Sequence, residues 1–297
     1  MKDRIERWRA AFSGDEQSVV RALVSFAWNH AAFQSVVKAV ELLPESPDGG
    51  KPFNWMLLEL LKNTYWGSTV LAIRRLVDAE SLIGKRGVMS LRSILNDVRA
   101  SRAVLTRRVY VEDIAGLAYD AEEVARKGDA FFLRHAERKA VWIPRALQPE
   151  PIRQRHDQFD FLSGVPSERR SPDDTIQDWV FDKLEARLAQ VQKISDHANI
   201  YFAHAATAES REGRGLTQWG SEDATAAFEL LVQTAELMGR WFLYEGVGDV
   251  LPAPNGDQFV HMDSPLLPGR DTRPLNERWQ AFAERTRAWP FIEDTAL

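Results

Sequence analysis

Apolar residues recur at helical spacing through most of the chain. Over 15–43, Val20, Leu23, Ala27, Phe33, Val37 and Val40 keep that spacing, and Pro44 ends the run. A second stretch, "KPFNWMLLELLKNTYWGSTVLAIRRLVDA", has Asn54 placed as an N-cap. It is apolar on nearly every side before Arg74 and Arg75, which predicts a central position. Ser90 is placed to cap a third helix bearing Leu91, Leu95, Val98 and Leu105. A fourth, over 112–139, carries Ile114, Leu117, Val124, Phe131 and Phe132. Five prolines from Pro144 to Pro172 then predict a long irregular connection. A fifth helix over 172–210 has Ser171 as N-cap, Pro172 at its first position and Asp174 completing an acidic capping box. Its stripe runs from Ile176 through Val180, Leu184, Leu188, Val191, Ile194 and Ala198 to Ala205. Another helix begins at Ser221 and closes at "EGVG".

No period-2 run of useful length and no internal repeat interrupts this pattern, so the fold class is all-α, a bundle of about seven helices. The helical domain spans 1–245. A Pro/Gly-rich extension over 246–297 holds a short helix near 275–288, with Trp279 and Phe282 available to pack it back on the bundle.

Composition narrows the chemistry. With 297 residues at 44% hydrophobic, the chain can bury a sizeable core. It has no Cys, which removes disulfides, thiolate zinc sites and thiol nucleophiles. No uninterrupted apolar stretch long enough for a membrane span and no signal-like start are present, so a cytoplasmic protein without membrane association is expected. Nucleotide P-loop, zinc-protease and serine-hydrolase motifs are absent, and no cofactor or metal is expected.

Charge adds two local patterns to a net of −5. Asp174, Asp178, Asp182 and Glu185 share one helix face, either as dipole-complementing acids facing water or as a Mg²⁺ face. Seven Lys/Arg lie between Lys85 and Arg108 against the single acid Asp97. Arg92, Arg99 and Arg102 in this stretch are candidate RNA-phosphate contacts, or else they pair with acids elsewhere.

The stretch "HANIYFAHA" holds His197 and His204, two helical turns and about 10 Å apart, too far to share one metal ion. Together with "YWGSTVLAIRRLVD", "SLRSILNDV" and "LTQWGSEDATAAFELLVQTAEL", it resembles the HEPN superfamily, and its AbiU2-like group in particular, over roughly 15–245. The resemblance implies a helical bundle that forms a homodimer through the motif helices. It also implies RNA chemistry in a phage-defence or toxin–antitoxin setting. Active members carry an Arg, followed by a polar residue, a few positions before the motif His. Asn199 and His204 match the polar residue and the His, but Ala198 stands where the Arg belongs.

Two function classes follow. One is a non-catalytic member that binds RNA or a protein partner. The other is a metal-independent endoribonuclease with His204 moving protons, Asn199 and His197 beside it, and Lys193 and Arg211 holding phosphate.

Overall fold

The computed structural model describes residues 1–47, 49–137, 140–198, 207, 209, 212, 219–251, 256–264 and 271–287. The fold is all-α. Among the described residues the only β-type pairing is the isolated bridge Thr106–Thr175.

The chain begins with a helix that the hydrophobic pattern did not announce. α1 (Lys2–Arg9) is charged along most of its length, yet Ile5 and Trp8 are fully buried, three residues apart. The Trp8 indole N–H donates to Asp97 at 2.6 Å, which fastens α1 to a segment 89 residues further along the chain. A π-helical turn, Ala10–Gly14, then delivers Phe12 to the core. α2 (Val19–Leu42) and α3 (Trp55–Leu76) pair with each other. Asn54 caps α3 as its sequence suggests, its Oδ1 accepting from the Leu57 N–H at 2.9 Å. Only the second half of α3 is central: Tyr65, Val70, Ile73 and Leu76 are buried, whereas Trp55, Met56 and Leu60 are exposed.

α4 (Leu91–Ala100) carries the expected Ser90 cap, closed into a reciprocal box with Ser93. Leu105 lies beyond its end but is fully buried. The predicted helix over 112–139 is two pieces. α5 (Arg107–Val109) runs into a π turn, Tyr110–Ile114, and Gly116 at φ +65° turns the chain away. α6 (Ala121–Arg134) restarts on a new cap, Asp120, which accepts from the Glu122 and Glu123 N–H groups.

Part of the expected irregular connection is helical. α7 (Glu150–Ser163) begins at the Pro149–Pro151 pair, buries Ile152, Phe159 and Leu162, and ends on Gly164 in the left-handed region. The helix expected over 172–210 is divided and starts late. The turn at Ser171 does form, with its N–H donating to Asp174. However, the carbonyls of Pro172 and Asp174 accept from Arg108 and Arg107, and Gln177 donates to the Leu162 carbonyl. Those tertiary bonds take the backbone groups a helix would use, so α8 runs only from Asp178 to Ala189. Three-residue bonds at Gln190 and Val191 then separate it from α9 (Gln192–Ala198). The apolar stripe nonetheless stays buried through Val191, Ile194 and Ala198.

α10 (Ser221–Met238) starts where its sequence indicates and continues as a π turn, Gly239–Leu243. It packs against α2, α3 and α8, while α9 lies along α3 and α4 along α8. A Cβ at Gly239 would sit 2.6 Å from the Glu245 carbonyl oxygen and 2.7 Å from Phe12 Cζ. Gly239→Ala is therefore expected to cost about 1–3 kcal/mol, read as a lower urea midpoint at unchanged slope.

Residues 252–297 form a separate compact unit. Its helix α11 (Arg273–Arg287) matches the expected short element and has Trp279 and Phe282 exposed.

Candidate functional site

α9 carries His197 and Ala198, the described part of the stretch "HANIYFAHA". Lys193 is exposed and His197 half-buried, and Ala198 is fully buried in the core. Asn199, His204 and Arg211 lie outside the described residues.

The physical meaning of Ala198 follows from its burial. A guanidinium at that position would start from a Cβ inside the apolar stripe of α9, against α3. An oxyanion-stabilising cation has to reach the site where charge develops, and methyl-sized Ala198 neither supplies one nor leaves room for one.

The basic and acidic patterns, separate in sequence, meet in space. α4 lies along α8, so three arginines face three acids. Arg92 Nε is 3.1 Å from Glu185 Oε1, and its Nη1 donates to the Val77 carbonyl and to Gln192. Arg99 Nη2 is 2.8 Å from Asp182, and Arg102 pairs with Asp178. A phosphate bound at any of these arginines has to displace a carboxylate already in place. The fourth member of the acidic face, Asp174, is 2.9 Å from Arg107. Among the described residues no group of three or more His, Asp and Glu is arranged to hold a metal ion.

Two buried arginines escaped sequence reasoning because their partners lie far along the chain. Arg107 is fully buried and held by Asp160 at 2.7 Å and Asp174 at 2.9 Å, with the His156 carbonyl and Ser163 completing its shell. Burial works against the Asp160 carboxylate, yet hydrogen bonds from Arg170 and Arg107 hold its pKa below the ordinary value. Arg155, one helix away on α7, is equally buried but has no carboxylate partner among the described residues. Arg107 shows in the sequence only as one of the cations between Lys85 and Arg108, and Arg155 only as one of those in the Pro-punctuated connection.

A third feature joins α2, α3 and α10. His30 Nδ1 is 2.6 Å from the Tyr65 hydroxyl, and Nε2 lies 2.9 Å from the Gln34 amide nitrogen and 3.0 Å from Thr225 Oγ1. Tyr65 in turn stacks on Phe33 with ring centroids 3.9 Å apart. Both imidazole nitrogens are thereby engaged, so His30 works as a tie between helices. Sequence shows a lone His on an apolar helix and gives no means of pairing it with Tyr65.

Burial lowers the pKa of His30 and of His156, the latter held by a bond from Nε2 to the Tyr119 carbonyl. The unfolded chain, with His near the ordinary 6.5, then binds protons that the folded chain refuses. Stability is expected to be level above that pH and to fall as pH drops below it. Thermal midpoints across this range check the trend, and His156→Asn should make it shallower, leaving the part that belongs to His30.

No family model, no curated protein and no solved structure matches this chain.

Proposed function

We propose that this chain is a HEPN-like helical protein that has lost the motif cation and acts by binding in a phage-defence or toxin–antitoxin setting. The observation that carries the reading is Ala198. It stands where the resemblance puts the family's arginine and is packed into the core, so that position offers no cation to a developing phosphorane charge.

Between RNA and a protein partner, the surface favours protein. Arg92, Arg99 and Arg102 are occupied by acids, which weakens a phosphate track. Large apolar side chains instead stand out from the paired helices α2 and α3: Trp28 is 65% exposed, Trp55 69% and Leu60 61%. Exposed aromatic and aliphatic side chains of this kind are what protein interfaces bury. The first partner they suit is a second copy of the chain, in keeping with the homodimer implied by the HEPN resemblance. Light scattering at micromolar concentration is expected to give a dimer mass. Leu60→Glu, at an exposed site, should give a monomer with an unchanged helical spectrum. A wild-type monomer contradicts the dimer.

A second reading, metal-independent RNA cleavage by His204, rests on Lys193, an exposed cation on the same motif-bearing segment. It requires cleavage that persists in EDTA and is abolished by His204→Ala.

A further inference from the structure

The fold treats its two most deeply buried arginines differently. Arg107 is neutralised by two carboxylates. Arg155, 2% exposed, donates only from Nη1, to Gln158 at 2.5 Å and to the Arg240 carbonyl at 2.8 Å. Its Nε and Nη2 are buried with no hydrogen-bond partner among the described residues. The guanidinium carbon lies 3.7 Å from the Tyr110 ring centre and 4.6 Å from that of Tyr244. Two aromatic faces soften the desolvation of a cation but supply no anion and no acceptor for its edge. Burial accordingly pulls its pKa down. A fixed positive charge with two idle donors is an expensive thing to keep inside a protein, unless something brings the missing acceptor.

Beside Arg155 is a cavity of about 500 Å³, lined also by Gln154, Glu236, Arg240, Tyr244 and Glu245. Its wall is backbone of an unusual kind. The π turn Gly239–Leu243 ends on Tyr244, a non-glycine residue at φ +60°. The 38%-exposed Tyr244 ring lines the cavity together with Arg155 and packs against its guanidinium. Arg240 is exposed on the rim and forms no ion pair among the described residues. The two acids are already engaged: Glu236 accepts from the Val247 N–H at 2.8 Å, and Glu245 is tied to Ser13 at 2.7 Å and Arg9 at 3.4 Å.

We propose that this cavity is a binding site for a small organic oxyanion, a phosphate or carboxylate headgroup. Arg155 is its buried charge, Arg240 its cation at the mouth and Tyr244 the ring that turns aside to admit it. The planar guanidinium edge presents Nε–H and Nη2–H side by side, the arrangement that a two-oxygen headgroup accepts. The volume exceeds that of a bare ion and suits a headgroup with a modest organic body.

The test uses the full chain in low-chloride buffer, titrated calorimetrically with inorganic phosphate, adenosine monophosphate and succinate in separate experiments. Saturable one-site binding by at least one probe is expected, with a thermal midpoint that rises with its concentration. Phosphate or the nucleotide binding alone assigns a phosphate headgroup, and succinate alone a carboxylate. Arg240→Ala, at the surface, should weaken binding about tenfold with no change in the unliganded midpoint. Arg155→Lys keeps the charge but loses the fork, and should weaken binding further. Tyr244→Gly, which suits the left-handed backbone and removes the ring packed against the guanidinium, should tighten it. Absence of saturable binding of all three probes up to about 10 mM overturns the proposal, as does binding that Arg240→Ala and Tyr244→Gly both leave unaltered.

Discussion

Arg107→Ala is expected to cost about 3–5 kcal/mol, enough to threaten folding of a domain with ordinary stability. The reason is what it leaves behind. Asp160 and Asp174 lose their shared partner, while Arg107 itself contributes no exposed surface whose loss is cheap. The same residue closes three segments on one another: its own turn, α7 through Asp160, Ser163 and the His156 carbonyl, and the loop before α8 through Asp174. Its side chain also lies over the Phe159 ring at 4.9 Å. Urea denaturation of Arg107→Ala and Asp174→Asn measures the effect, and the arginine variant should fall further because it strands Asp174 and leaves Asp160 with Arg170 alone. A loss under about 1 kcal/mol for Arg107→Ala would mean the network is solvated and unimportant.

Ala198→Arg carries the second large effect. If the missing arginine were a simple lesion in a working site, restoring it would restore cleavage. Because Ala198 is fully buried beside α3, the account expects destabilisation of at least about 3 kcal/mol, from overpacking and from a charge without a partner. Circular dichroism melts and an RNA cleavage assay on the same preparation separate the outcomes. A stable, newly active variant would show that the position opens onto a site after all.

Local signals in the sequence were reliable where local bonds decide the structure. Asn54 and Ser90 cap their helices through side-chain contacts three residues away, and such short-range chemistry is written in the residues themselves. The failures have a common cause in tertiary competition. Ser171 and Asp174 form the turn expected of a capped helix, but Arg107 and Arg108 take the carbonyls that would have propagated it. Pro149 and Pro151 read as breakers, although proline in the first turn is where a helix tolerates it, and α7 begins there. The acidic face on α8 and the basic face on α4 were each visible alone. Their mutual pairing depends on the packing of α4 along α8, which no sequence period encodes. The buried cations Arg107 and Arg155 were hidden for the same reason: a charged residue reads as surface until its partners are placed.

The most direct measurement of the central claim is incubation of the purified protein with single-stranded RNA in EDTA, followed by denaturing electrophoresis. With Ala198 in the core at the position where the proposed HEPN likeness puts an arginine, the account predicts that the RNA remains full length at enzyme-like and stoichiometric protein concentrations alike, for the wild type and for His204→Ala. Cleavage by the wild type that persists in EDTA and disappears in His204→Ala would contradict it, and would establish this chain as a working ribonuclease.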